Sequence, residues 1–281
     1  MADHVWIATT STWTTAGNWT GGVPVSNGRA LFGASTSQQA VTGLSQAGID
    51  LDYLQVNAAF LGAIGASGTP LQIAADVVNF MGSGEFNYES HNNGASLKTD
   101  VMNIKAASGG VIVRIGSVSG AAGEVDKINI GRGNVTLTTV TGCDELNVGY
   151  VSNPASDVTL NVNSTCGTIA RGSFKAGSIF NNAAMTAAYV SGTARFAHGS
   201  LSTSPGALSY LNASDSAYVQ YDMAGTIALL VVGGNAVVDF TKTGFAKVVT
   251  ELVLLDRAVV ISDLNTTLPT GQLYHDLRDG H

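Results

Sequence analysis

Short runs of alternating apolar and polar residues recur along most of this chain, from about residue 49 to residue 263. Residues 134–139 and 158–162 are two such runs, rich in Val, Leu and Thr, with apolar side chains at every second position. A period of two over five or six residues predicts β-strands. Gly, Asn and Ser interrupt the runs too often for helices of ten or more residues. The pattern therefore predicts a chain built almost entirely from strands.

The alternating runs form a loose repeat. Leu54 and Leu252 occupy the same place in it and lie 198 residues and nine intervals apart, which gives a mean repeat of 22 residues. A repeat of that length is typical of one supersecondary unit stacked many times. Strands joined by corners instead of hairpins favour parallel pairing between successive coils. We therefore predict an all-β fold, a single-chain parallel β-helix (β-solenoid) of about 9–10 coils.

The copies of the repeat differ between the two halves of the chain. Early copies begin with an acidic residue, and later copies keep the alternation without it. The early acids are Asp52, Asp76, Asp100, Asp126 and Asp144. The later apolar pairs are Ala188/Val190, Leu211/Ala213, Leu230/Val232 and Leu252/Leu254, each followed by a second short strand that contains Phe196, Val219, Val238 or Val260. These apolar residues are the predicted core.

Composition agrees with this fold. The 281 residues include 34 Gly, which suit corners that need positive φ, and 45% apolar against 12% charged residues disfavours disorder. No polar linker interrupts the repeat, which favours one elongated domain. We divide the chain into an N-terminal cap with the first strands (1–48), the solenoid repeats (49–264) and a C-terminal cap or arm (265–281).

Charge and targeting signals exclude several classes of function. The net charge is −7 and the 13 Lys and Arg residues are scattered, so we expect no nucleic-acid partner. The first 24 residues lack the pattern of a secretory signal, and no stretch approaches the roughly 20 apolar residues of a membrane span. Cys143 and Cys166 have no His or third Cys at metal-ligand spacing, so we expect no metal site and no cofactor.

The N-terminal segment differs from the repeats because it holds all three tryptophans, Trp6, Trp13 and Trp19. A solenoid exposes its first coil to water and needs a cap over the open end of the core. Large aromatic side chains suit that role. The alternative is an aromatic platform that binds a ligand or a partner.

This opening also resembles a known group of proteins. A Trp followed by Gly-Asn-Trp, Gly-x-Pro and a short apolar strand is similar to the start of β-helical structural proteins of tailed bacteriophages and of autotransporter-type passenger domains. The resemblance implies a β-solenoid in a structural context, and its phage members imply a homotrimer. Such openings commonly carry an Asp where this chain has Gly28 and Arg29. The matching residues are Trp13, Gly17, Asn18, Trp19, Gly22, Val23, Pro24, Ala30 and Phe32.

The missing secretory signal favours the phage context, because an autotransporter passenger must be exported. We therefore predict a non-enzymatic virion structural protein, assembled in the host cytoplasm. Its predicted role is that of a capsid decoration or cement protein that binds the major capsid protein or another virion protein. The alternatives are a tail-fibre or tailspike protein that binds or depolymerises carbohydrate, and an exported β-helical adhesin.

The aspartate repeat bears on these alternatives. Coil stacking could place carboxylates about 5–10 Å apart, the separation that glycoside hydrolysis needs. The same acids also suit corners, where Asp side chains accept hydrogen bonds from local backbone. Because the acids recur at equivalent positions without consistent basic partners, we favour the corner interpretation.

Candidate partner-binding residues are aromatic, because aromatic anchors carry much of the affinity of many interfaces. Two lie in residues 82–97, which form either a protruding loop or, in part, a rung strand with both rings inward. One lies in the tail, which either caps the last coil or reaches a neighbour as an arm. The predicted partner-binding residues are Trp6, Trp13, Trp19, Phe86, Tyr88 and Tyr274.

Overall fold

In the computed structural model, the described residues are 2–7, 10–33, 40–90, 99–117, 125–138, 142–149, 157–199, 208–242, 244–270 and 273–275. These residues contain strands and one short 3-10 helix, Ala16–Asn18, and no α-helix. The chain divides into two compact units, Met1–Asp144 and Glu145–His281. Their described residues make about 10 turns of parallel β-solenoid, which confirms the predicted fold class.

Unit 1 contains two stacks of parallel strands, which we call sheets A and B. Sheet A runs through β3, β4, β5, β7 and the first half of β9, and sheet B through β6, β8 and the second half of β9. β1 pairs antiparallel with β2 and parallel with β3. The strands are β1 Asp3–Trp6, β2 Trp19–Thr20, β3 Arg29–Phe32, β4 Ser45–Val56, β5 Leu71–Phe80, β6 Phe86–Ser90, β7 Thr99–Lys105, β8 Ile112–Ser117 and β9 Val125–Thr138.

Unit 2 repeats this arrangement with shorter strands, in sheets C and D. Sheet C runs through β12, β14, β16, β18 and β20, and sheet D through β11, β13, β15, β17, β19 and β21. The strands are β10 Cys143–Val148, which begins at the end of unit 1, β11 Val158–Val162, β12 Ile169–Phe174, β13 Ser178–Asn181, β14 Met185–Val190, β15 Arg195–His198, β16 Leu208–Ala213, β17 Tyr218–Tyr221, β18 Gly225–Val232, β19 Val237–Asp239, β20 Lys247–Leu255, β21 Val259–Ile261, β22 Thr266–Thr267 and β23 Leu273–His275.

The core of unit 2 consists of columns in which each side chain stacks on its counterpart one coil away. In sheet C the register joins Ala188, Leu211, Leu230 and Leu252, and in sheet D it joins Ile179, Phe196, Val219, Val238 and Val260. Apart from the last residue of each column, these side chains are at most 1% exposed. The predicted apolar pattern is therefore the observed core.

One corner of unit 2 is also a column. Gly192, Asp215, Gly234 and Asp256 follow one another at successive coils, and all four have φ between 59° and 66°. The Asp215 carboxylate accepts a hydrogen bond from the Gly192 N–H at 2.9 Å, and Asp256 accepts one from Gly234 at 3.2 Å. A Cβ on Gly192 would lie 2.4 Å from the Lys175 carbonyl oxygen. The left-handed backbone and the close approach require glycine there.

Among the described residues, no helix has the length and apolar character needed to cross a membrane. Both cysteines, Cys143 and Cys166, are buried.

Candidate functional site

The three tryptophans form one buried cluster at the start of unit 1. Trp19 stacks edge-on against Trp6 and Trp13, with ring centroids 4.9 and 4.7 Å apart, and Phe32 lies 5.3 Å from Trp19. No tryptophan is more than 3% exposed. The Trp19 indole N–H donates to the Trp13 carbonyl at 2.7 Å. The structure therefore favours the predicted cap over an aromatic platform on the surface.

A buried asparagine holds the loop of this cap in place. The Asn18 side-chain amide donates to the Thr12 carbonyl at 2.7 Å and to the Thr10 hydroxyl at 2.8 Å, and its Oδ1 accepts from the Thr10 N–H at 2.9 Å. These bonds fix the turn that carries Trp13 and Trp19. The Gly-Asn-Trp motif of the sequence thus has a structural function in the cap.

Phe86 and Tyr88 also point inward. Both lie in β6 and are at most 1% exposed, with Phe86 stacked on Phe80 at 4.7 Å. The Tyr88 hydroxyl donates to the Ile73 carbonyl at 2.9 Å and bonds Thr99 Oγ1 at 2.7 Å. Burial raises the pKa of Tyr88. The rung-strand alternative is confirmed for residues 86–90, and residues 91–97 of the predicted loop lie outside the described residues.

Tyr274 lies in β23, whose backbone pairs in parallel with β20, opposite Leu254. β22 pairs with the start of β20 in the same way. This part of the tail therefore adds strand pairs to sheet C. The five other predicted anchors are buried within the chain, so a partner would contact different side chains.

The repeated aspartates form a ladder on sheet A. The strand register aligns Asp52, Asp76, Asp100 and Asp126 in successive coils. They lie inside the strands and not at corners, so the corner interpretation was wrong for them. The reason is that β4, β5, β7 and β9 are long strands that begin before the acids. In unit 2, Asp215 and Asp256 do lie at corners, where each accepts a hydrogen bond from a backbone N–H.

An asparagine ladder runs beside the acids, three residues further along each strand. The Asn103 amide donates to Asn79 Oδ1 at 2.7 Å, and the Asn129 amide donates to Asn103 Oδ1 at 2.8 Å. Each amide has both a donor and an acceptor, so one side chain can bond both neighbours. This ladder links adjacent coils. It explains why an asparagine recurs three residues after the aspartate in successive copies of the repeat.

The aspartate ladder brings like charges together. Burial, followed by the charges of Asp76, Asp52 and Asp100, raises the pKa of Asp50. Burial and the charges of Asp100 and Asp52 raise the pKa of Asp76. No group of three or more His, Cys, Asp or Glu residues in the described ranges is arranged to hold a metal ion. The ladder is therefore a site of charge repulsion within unit 1.

Asp76→Asn should stabilise unit 1 at neutral pH by about 0.5 kcal/mol, because like charges on adjacent strands repel. The folded-state pKa of Asp76 is raised, so the ionised side chain costs stability as the pH rises through that pKa. The gain should vanish below about pH 3, where the aspartate is protonated in both states. Denaturant unfolding at the two pH values measures this difference. Asp3→Asn, which removes an exposed ion pair with Arg29, should give no gain.

A groove lies on unit 1 beside the turn from Gly65 to Pro70. A cavity of about 490 Å³ lies between the segment around Thr42 and the turn from Gly65 to Pro70. A second cavity of about 280 Å³ lies beside the same turn and is lined by Gln72, Glu89 and Arg114. The volume of the larger cavity falls within the range of small-molecule sites.

Glu89 is the one carboxylate that lines the two cavities, and the Glu85 carboxylate lies beside them against Arg114, a placement that does not suit glycoside hydrolysis. Arg114 binds the Glu85 carboxylate and donates to Asn87 Oδ1 at 2.9 Å, while Gln72 donates to Glu89 at 2.9 Å. Glu85 and Glu89 are four residues apart along extended backbone, or about 13 Å. That exceeds the separation used by retaining and inverting enzymes. The groove can hydrogen-bond a polar molecule.

The C-terminal end of unit 2 is only partly covered among the described residues, because β22 and β23 pair with β20 while no described strand pairs with the outer edge of β21. Val260 and Leu254 are partly exposed, although their counterparts one coil earlier, Val238 and Val232, are fully buried. Five of the nine exposed large apolar side chains of the described residues lie here. We call them the C-terminal surface: Phe245, Val248, Val259, Ile261 and Leu264.

The sequence prediction missed this surface. Its signal is the run Val259–Ile261, in which three β-branched apolar residues follow one another and Ile261 stands where the preceding coil has Asp239. Such a run is typical of a strand covered on both faces.

Protein-family models, curated proteins and solved structures were compared with this chain, and none matches it. The resemblance of its opening to phage β-helical proteins therefore stays a prediction.

Proposed function

We propose that this chain is a non-enzymatic structural protein of a virion, a decoration or cement protein that binds the assembled shell. The observation that supports this proposal is the C-terminal surface. A solenoid end without a complete cap leaves core residues and a strand edge in contact with water. Such an end is stabilised when another molecule covers it.

The chemistry of the C-terminal surface fits a protein partner. Exposed apolar patches of this kind mark interaction sites on soluble proteins. β21 pairs with β19 along one edge, and no described strand pairs along its other edge. A shell protein could cover the apolar side chains and add a strand to that edge.

Binding alone would perform the function. A protein that binds the assembled shell and not its separate subunits stabilises the shell by RT ln(1 + [L]/Kd). At a concentration one hundred times Kd this term is about 2.7 kcal/mol for each site. Because a shell has many equivalent sites, the total stabilisation is large. No bond is made or broken in this mechanism.

A second candidate, a carbohydrate-binding tail-fibre or tailspike protein, is supported by the polar groove of unit 1. Gln72, Glu89, Asn87 and Arg114 provide the donors and acceptors that sugar hydroxyls need. Depolymerisation would use the stacked acids of sheet A. Polysaccharide turnover that is lost in Asp100→Asn or Asp126→Asn would favour this candidate.

Cosedimentation with particles of the parent virus stripped of this protein tests the proposal. We expect saturable binding at a fixed ratio to the major shell protein. Ile261→Asp should weaken binding at least about tenfold, because it places a charge in the apolar contact. Leu61→Asp alters an apolar residue of unit 1 that is 49% exposed, against 42% for Ile261, and this variant should bind normally. Absence of binding, or equal binding by both variants when both are folded, would overturn the proposal.

A further inference from the structure

The outer surface of sheet C carries a pattern that the proposed shell contact does not use. Its first outward column is aligned residue by residue across five strands. Along these five strands the first and last residues are exposed and carry opposite charges, while the three middle residues are uncharged and half-buried. Beyond Arg171 the column continues to Glu145, because β10 pairs with the other edge of β12. In chain order the column is Arg171, Ala187, Tyr210, Leu229 and Glu251.

The second outward column carries no charge at all. The register aligns Ser173, Tyr189, Asn212, Val231 and Val253. The four residues from Tyr189 onward are half-buried, as expected for side chains on an open sheet surface. Together the two columns form what we call the sheet C strip, ten residues of which Arg171 and Glu251 alone are charged, on a chain of net charge −7.

Contacts within the strip hold its aromatic part in one arrangement. The Arg171 guanidinium lies 4.7 Å from the Tyr189 ring centroid, and the rings of Tyr189 and Tyr210 are 5.3 Å apart. The Asn212 amide donates to the Tyr210 hydroxyl at 3.2 Å. Side chains that are already ordered lose less conformational entropy when a partner binds. Tyr and Arg are also the residues most enriched at interface centres.

Small, exposed, uncharged residues flank the strip. They occupy the repeat position that carries aspartate in unit 1, and the register aligns them across sheet C. Their size allows another flat surface to approach closely, and no charge has to be desolvated. These residues are Ala170, Thr186, Ser209, Ala228 and Thr250.

We infer that the sheet C strip binds the same strip of a second copy of this chain, in a two-fold dimer whose strand stacks run antiparallel. The two-fold axis of this dimer runs between the two sheets, parallel to the strands and level with Tyr210. It places Arg171 of each copy opposite Glu251 of the other. The same axis places the small Ala187 opposite the larger Leu229. The strip is therefore complementary to itself in both charge and size, as an isologous interface requires.

The two charges cannot satisfy each other within one chain. They are four strand spacings apart, which is about 19 Å at about 4.8 Å per strand. An ion pair needs a separation of about 4 Å. Only a second molecule can bring the guanidinium and the carboxylate together, and the antiparallel arrangement does so twice.

A charge exchange tests this pairing. In sedimentation velocity over a concentration series, the wild-type chain should associate to a dimer. Arg171→Glu and Glu251→Arg should each weaken the dimer by about tenfold or more, because each places like charges opposite one another twice. The double variant Arg171→Glu/Glu251→Arg should dimerise like the wild type. Arg257→Glu reverses an exposed charge of unit 2 outside the strip and should have no effect.

Cross-linking locates the axis independently. Tyr210→Cys places a thiol at the axis, so a thiol-specific cross-linker that spans about 10 Å, the spacing of packed sheets, should join two copies. Thr250→Cys is exposed but lies far from its own counterpart, so it should stay uncrosslinked. The native Cys143 and Cys166 are buried. A monomer at all concentrations, a trimer, or a double variant that fails to recover would overturn the inference, whatever the outcome of the shell-binding experiment.

Discussion

Trp19→Ala should lower the free energy of unfolding by about 3–5 kcal/mol. The indole is 3% exposed and touches three other aromatic rings, those of Trp6, Trp13 and Phe32. Its removal leaves a cavity where the cap closes the core. It also deprives the Trp13 carbonyl of its indole donor. An unsatisfied buried acceptor adds its own desolvation cost to that of the cavity.

Denaturant unfolding of wild-type and variant chains measures this loss. Val25→Ala provides a matched control, because Val25 belongs to the same N-terminal segment and is 58% exposed. We expect the control to change stability by less than about 0.5 kcal/mol. A Trp19→Ala chain with normal stability and lost partner binding would mean that the tryptophans contact a partner and do not cap the core.

The strand pattern was predictable from sequence because side chains alternate with a strict period of two along a strand. Ala188, Leu211, Leu230 and Leu252 were aligned as one repeat position, and they form one buried column. The hydrogen-bond register of parallel strands converts a repeat in sequence directly into a column in space. The solenoid and its core are therefore predictable from the sequence alone.

The position of the coil corners was harder to predict. The repeated Asp76 and Asp100 were expected at corners, but Asp215 and Asp256 occupy them. A corner needs a left-handed backbone and a nearby N–H group, and neither property follows from a repeated acid. The alternation of Gly192, Asp215, Gly234 and Asp256 at successive coils was a better signal, since these residue types tolerate positive φ.

The candidate binding surfaces were harder to predict from the sequence than the strands or the corners. Aromatic content identified Trp6 and Tyr88, but composition alone does not say whether a ring faces inward or outward. The sheet C strip depends on two charges 80 residues apart in sequence, Arg171 and Glu251. Only the register of the intervening strands places them in one column.

Lys247→Ala should also cost about 3–5 kcal/mol at neutral pH, because removing one member of a buried charge cluster leaves the other uncompensated. Lys247 is 1% exposed and donates to the Phe245 carbonyl at 3.2 Å, with Asp263 3.9 Å away. Asp222 is 4% exposed, and burial raises its pKa, while the charges of Lys242 and Lys247 oppose that rise. Without Lys247, the ionised Asp222 becomes more costly.

The pKa of a neighbouring carboxyl group, that of Asp239, shifts in the opposite direction. Burial acts to raise the pKa of Asp239, but hydrogen bonds from the Thr241 N–H and hydroxyl and from the Tyr218 hydroxyl outweigh it and lower the pKa. The bond from Thr241 N–H is 2.8 Å long and that from Tyr218 is also 2.8 Å. Asp239 is therefore satisfied without Lys247, so the effect of the substitution should fall mainly on Asp222 and Asp263.

The pH dependence follows from the direction of the Asp222 shift. A carboxyl whose pKa is raised in the folded state costs stability only as the pH rises through that pKa. The part of the Lys247→Ala deficit that comes from Asp222 should therefore shrink as the pH is lowered from 7 towards about 4, because the raised pKa of Asp222 makes it take up a proton before a free aspartate does. Denaturant unfolding at pH 7 and at the lower pH measures the change. Arg257→Ala, which removes an exposed cation of unit 2 that does not act on Asp222, should change stability by less than about 0.5 kcal/mol.

Lys247→Met separates the charge of the lysine from its volume. Methionine fills much of the space of the lysine stem but cannot balance a carboxylate. If the buried charge matters, Lys247→Met should lose nearly as much stability as Lys247→Ala at pH 7 and recover at low pH. If Lys247→Met is instead as stable as the wild type at pH 7, the lysine contributes through the packing of its methylene groups. In that case the charge cluster with Asp222 would not be needed to hold the last coils together.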